Sequence, residues 1–243
     1  MKRYIIRRLK LRREFSANVS HELKTPLTGI LGYAEMLAGG MVQPRDVPAF
    51  ARNIKREAER LFLLIEDIIM LSELDETDSL PNMELVNLAE IAANVAETLA
   101  QKAERYAVVL RSETPDVWVS GSPSLLHELL FNIVDNSIKY NKRGGSVVVS
   151  LREEAGQAML TVEDTGIGIP PEHQERVLER FYRVDKSRSK RTGGTGLGLS
   201  IVKHIAAVHG GTVELQSRPG CGTTVTVRFK AAPPPCNPAE AVV

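Results

Sequence analysis

The sequence predicts an α+β chain: an N-terminal antiparallel helical hairpin followed by a separate sandwich of strands and helices. Three observations lead there. Apolar residues before Asp75 recur in steps of three and four, the spacing of a helix face. A polar stretch containing Pro81 then breaks the pattern. Beyond it, runs alternating with period two are interleaved with helical ones, outside strict strand–helix–strand order.

Composition sets the outer bounds. Of 243 residues, 43% are hydrophobic, 25% charged and 5% aromatic, which excludes collagen-like, wholly disordered and disulfide-scaffold classes. No apolar run is long enough to cross a bilayer, and Met1 is followed by charges rather than a leader's apolar core. Cys221 and Cys236 lack metal-ligand spacing and suit a reducing, cytoplasmic setting. The net charge of +1 is uneven: residues 1–13 hold seven Lys/Arg and no acid, leaving 24 basic against 30 acidic residues elsewhere. An acidic body argues against a nucleic-acid binder. The basic start reads either as a patch beside a membrane or as the solvated helix end of a longer protein.

The elements follow in order. Residues 11–38 carry Phe15, Val19, Leu23, Leu27, Ile30, Leu31, Ala34 and Leu37 on one helix face. Gly39 and Gly40 stop that helix, and residues 43–48, with Pro44 and Pro48, make a loop. Ile54, Ala58, Leu61, Leu64, Ile65, Ile68 and Leu71 mark a second helix. The short loop makes the pair an antiparallel hairpin. Both stripes are too wide for two helices to bury, so two hairpins are expected to pair as a four-helix bundle, with residues 11–76 the homodimer module. Residues 1–10 are a basic extension and 77–82 a linker. The sandwich spans 83–231, with strands at 83–87, 107–112, 117–120, 146–151, 158–164, 212–217 and 223–229 and helices at 88–105, 123–140 and 197–208. The Pro-rich residues 232–243 read as a disordered tail.

His21 is two residues from both Val19 and Leu23, about 200° around the helix from each, so it faces away from the apolar stripe. Pro26 cannot donate to the Glu22 carbonyl, and a bend beside His21 is expected. The string Ser16-Ala-Asn-Val-Ser-His-Glu-Leu-Lys-Thr-Pro-Leu-Thr28 resembles the phosphoacceptor box of the sensor histidine kinases of two-component signalling. The resemblance implies that His21 is phosphorylated on Nε2 and that Glu22 acts as base or orienter at Nδ1. It also implies that Thr25 places a water for dephosphorylating a response regulator. Thr25 has a local alternative, bonding back to the helix carbonyls.

Two glycine clusters follow, Asp164-Thr-Gly166-Ile-Gly168-Ile-Pro170 and Gly193-Gly194-Thr-Gly196-Leu-Gly198-Leu. Neither has the Lys-Ser/Thr of a P-loop nor the spacing of a dinucleotide fingerprint. The second opens a helix, where backbone N–H groups meet phosphates readily. Upstream, Glu128, Asn132 and Asn136 stand at i, i+4 and i+8 on one polar helix face. That face is either a solvated surface or a set of oxygen donors for Mg²⁺. Together with Glu179-Arg-Phe-Tyr-Arg-Val-Asp185, these strings resemble, in order, the nucleotide-binding boxes of the GHKL ATPase domain of the same kinases.

That resemblance implies ATP and Mg²⁺ as cofactors, with Asn136 the leading metal ligand beside Asn132 and Glu128. Asp164 would accept from the adenine amine, with Gly166 and Gly168 at the adenine end and Tyr140 nearby. Lys139 and Arg183 would face the terminal phosphates, residues 186–195 would form a lid ending at Thr195, and Gly196, Leu197 and Gly198 would hold phosphate at the helix start. Packing is the simpler role for Phe181. The implied activity is an ATP-dependent protein-histidine kinase whose phosphoryl group passes to an aspartate of a response regulator. The rival classes are a GHKL serine kinase, a scaffold with a dead site, and a chain acting chiefly as a phosphatase. A membrane anchor in a parent protein is a family expectation.

Overall fold

The structure, a computed structural model, describes residues 2–75, 82–185 and 194–235, with side chains from residue 16 onward. Linker residues 77–81, lid residues 186–193 and tail residues 236–243, including Cys236, lie outside the described residues. The chain divides into two compact units, Met1–Ser72 with Asp185–Leu197, and Glu73–Val184 with Gly198–Val243.

In the first unit, α1 (Lys2–Ala38) and α2 (Val47–Asp75, its last turn grouped with the second unit) form the hairpin. Helix α1 starts at Lys2, so the expected extension at 1–10 is continuous with the hairpin helix. It also runs on through Pro26. Gly40 adopts φ 64°, the Met41 N–H donates to the Met36 carbonyl at 3.1 Å, and the Gly40 N–H donates to Leu37 at 3.2 Å. This left-handed cap satisfies the last carbonyls of α1 and turns the chain. Helix α2 begins at Val47, inside the segment expected to be loop. Pro48 is tolerated there because a first-turn residue has no intrahelical N–H bond to lose.

The hairpin buries Pro26, Leu64 and Leu71 and sets Tyr33 edge-on to Phe50 at 5.5 Å. It leaves Leu27, Leu31, Phe62, Ile65 and Ile69 exposed, at 41–60% of their surface. Leu27, Leu31 and Ile65 belong to the stripes read from the sequence. A single hairpin therefore covers only part of each stripe.

The second unit contains β1 (Glu84–Asn87), α3 (Leu88–Tyr106), β2 (Val109–Glu113), β3 (Trp118–Gly121) and α4 (Pro123–Lys139). Then come β4 (Ser146–Glu154), β5 (Gln157–Asp164), the single-turn α5 (Pro171–Gln174) and a 3₁₀ turn at Arg176–Leu178. Helix α6 (Gly198–Val208) and the hairpin β6 (Thr212–Arg218) and β7 (Gly222–Lys230) close it. All the expected elements form, each within about two residues of its expected start. α5 and the 3₁₀ turn were not foreseen, being too short to show a period.

The five-stranded sheet has the order β2-β4-β5-β7-β6, with β2 parallel to β4 and the other neighbours antiparallel. β1 and β3 form a separate antiparallel pair. One sheet face is buried through Val147, Val149, Leu151, Ala158, Leu160, Val162, Val225, Val227 and Phe229, at most 5% exposed. Helices α3, α4 and α6 pack there, contributing Val95, Leu99, Leu129, Ile133, Ile201 and Ile205. Period-two alternation arises because only this face is covered.

Asn87 starts α3 by accepting from the Ala89 N–H at 3.0 Å. Ala107 ends it in the left-handed region at φ 54°. At the far side, the Ala232 N–H donates to Trp118 at 2.8 Å, so the expected tail is tied down at its first residue.

Candidate active site

In the hairpin, His21 is exposed on α1, as its position opposite the apolar stripe requires. The Thr25 hydroxyl donates to the His21 carbonyl at 3.2 Å, the back-bonding that a mid-helix threonine favours. Glu22 turns toward α2, where its carboxylate lies 3.5 Å from the Arg60 guanidinium. Arg60 is only 8% exposed. Sequence reading passed over Arg60; the signal was present, because it stands four residues before Leu64 on the buried stripe of α2.

In the second unit, α4 presents the polar face at i, i+4 and i+8. Asn132 Nδ2 donates to the Glu128 carbonyl at 3.0 Å and to Glu128 Oε1 at 2.7 Å. That fixes the amide so that Oδ1 points across to Gly198, at the first turn of α6. A Cβ at Gly198 would come within 2.7 Å of Asn132 Oδ1 and 3.5 Å of Asn136 Nδ2. Glycine there lets the backbone at a helix N-terminus approach the amides of α4, forming a close-packed cradle. Lys139 and Tyr140, both half-buried, follow at the end of α4.

Asp164 ends β5. Its Oδ1 accepts from the Gly166 N–H at 2.8 Å and the Thr223 N–H at 3.2 Å, and the buried Ser137 hydroxyl also donates to this carboxylate. Burial nevertheless pushes the carboxyl above the usual range, because desolvation outweighs these bonds.

Two close approaches hold the loop after Asp164. A Cβ on Gly168 (φ 68°) would lie 2.1 Å from the Arg218 carbonyl oxygen, and one on Gly222 (φ 120°) 1.8 Å from that of Asp164. Gly166 likewise sits against the Tyr140 carbonyl, its Cβ position 2.6 Å away. The β6–β7 turn is thus clamped onto this loop, with the Ser217 hydroxyl accepting from the Ile169 N–H at 2.8 Å. Gln174 donates to the Ile169 and Ser217 carbonyls at 2.9 and 2.7 Å.

Ser137, Ser217, Gly222 and Thr223 were missed from sequence. The glycine pair in Gly220-Cys221-Gly222 was the available signal, read then as an ordinary hairpin.

Arg183 is half-buried beyond the 3₁₀ turn, after Phe181 at φ 63°, a strained conformation for an aromatic residue. Thr195, Gly196 and Leu197 group with the first unit. There the Thr195 hydroxyl accepts from the Leu197 N–H at 3.2 Å, Gly196 has φ 78°, and Leu197 is buried.

The structure thus brings together Glu128, Asn132, Asn136 and Gly198, and separately Asp164, Gly166, Gly168 and Tyr140. Among the described residues no group of three or more His, Cys, Asp or Glu can hold a metal. The Asn132 amide oxygen is a donor of the kind that fits Mg²⁺, which is commonly bound by few protein groups together with substrate phosphates.

Residues 11–77 match the His Kinase A (phospho-acceptor) domain family, and residues 121–233 match the Histidine kinase-, DNA gyrase B-, and HSP90-like ATPase family. The chain belongs to the sensor histidine kinases.

The first match contains His21, Glu22 and Thr25, and the second contains every α4, β5 and α6 residue just described. The sensor-like histidine kinase SenX3 of Mycolicibacterium smegmatis is 41% identical over 225 residues, 92% of this chain and 59% of that protein. This histidine kinase chain therefore spans little more than half the length of that relative. Full-length ShkA in complex with AMPPNP is 25% identical with a TM-score of 0.66, covering 90% of this chain and 46% of ShkA. Histidine kinase ThkA in complex with the response regulator protein TrrA shares the fold, with a TM-score of 0.76 at 23% identity, covering 95% and 65% of the two chains. Among the described residues of this kinase, no helix is long and apolar enough to cross a membrane.

Proposed function

We propose that this chain is the catalytic core of an ATP-dependent protein-histidine kinase that phosphorylates itself on His21 and then an aspartate of a response regulator. The observation that carries the reading is His21: an exposed imidazole on the hairpin, in a chain that also holds the Asn132–Gly198 cradle.

ATP is the substrate. The α6 N-terminal N–H groups at Gly198 bind phosphate, and Asp164 accepts from the adenine amine. Gly166 and Gly168 keep the backbone close to the base, with Tyr140 beside them. Lys139 and Arg183 stabilise charge on the terminal phosphates, and Thr195, Gly196 and Leu197 join this set by family resemblance. Asn136, with Asn132 and Glu128, would hold Mg²⁺, which neutralises phosphate charge when bound.

The Nε2 lone pair of neutral His21 attacks the γ-phosphorus, and the bond to the β–γ bridging oxygen breaks to release ADP. Glu22 holds the Nδ1 proton. A histidine is suited to this because a neutral imidazole carries a nucleophilic nitrogen lone pair. The exposed apolar stripes support a homodimer through residues 11–76. The ShkA complex with a nucleotide analogue and the ThkA complex with a response regulator support the two partners.

The test is incubation with γ-labelled ATP and Mg²⁺, followed by acid and base treatment. The expected result is an acid-labile, base-stable label that disappears in His21→Ala and Asn136→Ala. An acid-stable label that survives His21→Ala overturns the reading in favour of a serine kinase.

A further inference from the structure

Arg60 is out of place by the logic of packing. It lies on the same face of α2 as Leu64 and Leu71, four and eleven residues on, and is 8% exposed. Burying a guanidinium is costly, and an apolar residue of similar volume is often at least as good for stability. The charge there calls for a task beyond packing, and its partners show one. Arg60 Nη2 lies 3.5 Å from Glu22 Oε2 on α1, and Nη1 lies 3.9 Å from Glu57 Oε2 one turn earlier on α2. Each arm of the planar fork faces a different carboxylate, so the guanidinium links the two helices by charge, with the Glu22 carboxylate on the α2 side. Glu57 in turn sits against Gly29 of α1, whose Cβ position is 3.6 Å from Glu57 Cγ.

Neighbouring residues on a helix diverge by about 100°, so Glu22 does not face the His21 ring by helix geometry alone. Something outside α1 must aim its carboxylate. We infer that Arg60 is the positioning residue for Glu22 in the His21 phosphorylation reaction. It works through charge at ion-pair distance, orienting the carboxylate without contact with ATP or the transferred phosphoryl group. The inference rests on the reading of His21 as phosphoacceptor.

The test compares full-length wild type with Arg60→Met, which keeps the stem, Arg60→Lys, which keeps the charge, Glu22→Gln, and the Arg60→Met/Glu22→Gln pair. Initial rates of His21 labelling are measured against ATP concentration, with thermal melting alongside. Arg60→Met is expected to lower kcat by about tenfold to a hundredfold, the range for a misplaced catalytic group, with KM for ATP unchanged. Arg60→Lys should recover part of that rate, and in the Glu22→Gln background Arg60→Met should cost nothing further.

Wild-type kcat in Arg60→Met, or losses that multiply in the double variant, would overturn the inference while leaving the kinase reading intact. A loss that follows melting temperature in both Arg60 variants would also overturn it, because that marks a purely structural charge. A wild-type chain that takes no label on His21 removes the kinase reading itself, before any Arg60 variant is compared.

Discussion

The two units solve the problem of burial differently. The α/β unit covers one sheet face with three helices and leaves Val147, Val162, Ile133 and Ile201 at no more than 1% exposure within a single chain. The hairpin leaves Phe62, Ile65 and Ile69 exposed at i, i+3 and i+7 of α2, the seam spacing of paired helices. The exposed seam of the first unit fits the proposed homodimer, whereas the sheet of the second is covered within one chain. The proposed chemistry divides the same way: an exposed side chain, His21, stands on the hairpin, while the proposed nucleotide site is backbone held by glycines against carbonyl oxygens.

The sharpest way to break this contrast is to charge the seam. Burying an isoleucine side chain is worth roughly 1.5–3 kcal/mol, so Ile65→Asp with Ile69→Asp should remove at least about 4 kcal/mol per dimer. That corresponds to about a thousandfold weaker association. Sedimentation equilibrium should show a monomer, while titration with a nucleotide analogue should show unchanged affinity in the self-sufficient unit. A dimer that survives both charges would show that the contrast is misdrawn.

The next effect tests the rigidity of the cradle. Gly222→Ala places a methyl 1.8 Å from the Asp164 carbonyl oxygen, and backbone must move. A Cβ at Gly220, in the same turn, meets nothing within 4 Å despite φ 77°. Gly220→Ala should cost only the left-handed backbone penalty, about 1–2 kcal/mol. Gly222→Ala should cost more than that and lower nucleotide affinity by at least about tenfold, since it displaces the carboxylate that Thr223 holds. Equal losses in the two variants would mean that the clamp does not matter.

Much of this was legible in the sequence, and the reason differs by unit. Strand and helix positions in the α/β unit could be read because one-sided burial stamps a period on each element. The hairpin was legible for the same reason, and its stripes are wider than one hairpin covers. The start of α2 at Val47 was hidden by Pro48, which looks like a loop residue but suits a first turn. Of the site, the side chains on α4 and the glycines before α6 showed through local spacing. Ser137, Thr223 and Gly222 did not, because they meet Asp164 only through tertiary structure, Ser137 by the packing of α4 on β5 and the other two by the pairing of β7 with β5, across 27, 59 and 58 residues of chain. Arg60 was hidden in the same way: its meaning lies in Glu22, on the other helix.

The smallest expected effect contrasts two half-buried titrating groups of the α/β unit. His209 Nε2 accepts from the Ser122 N–H at 3.0 Å, ahead of α4, while Nδ1 lies 2.8 Å from the Ile205 carbonyl of α6 and donates to it. Burial lowers its pKa, more than the Ile205 bond raises it, so the folded unit holds the neutral ring. Its contribution to stability is therefore complete above the ordinary histidine pKa of about 6.5 and is lost as pH falls toward the depressed folded value.

Asp164 has the opposite sign. Its folded pKa is raised by burial, so its contribution is complete at low pH and is lost as pH rises through that value. The same ionisation supplies the carboxylate of the proposed adenine contact. Melting temperatures of the chain from pH 8 downward should fall where His209 protonates, and His209→Gln should flatten that limb. Nucleotide affinity should weaken as Asp164 takes its proton, and Asp164→Asn should remove that dependence while lowering affinity throughout. If both limbs move together in either variant, stability and adenine recognition share one titrating group, and the helix-end histidine has no separate role in holding α4 to α6.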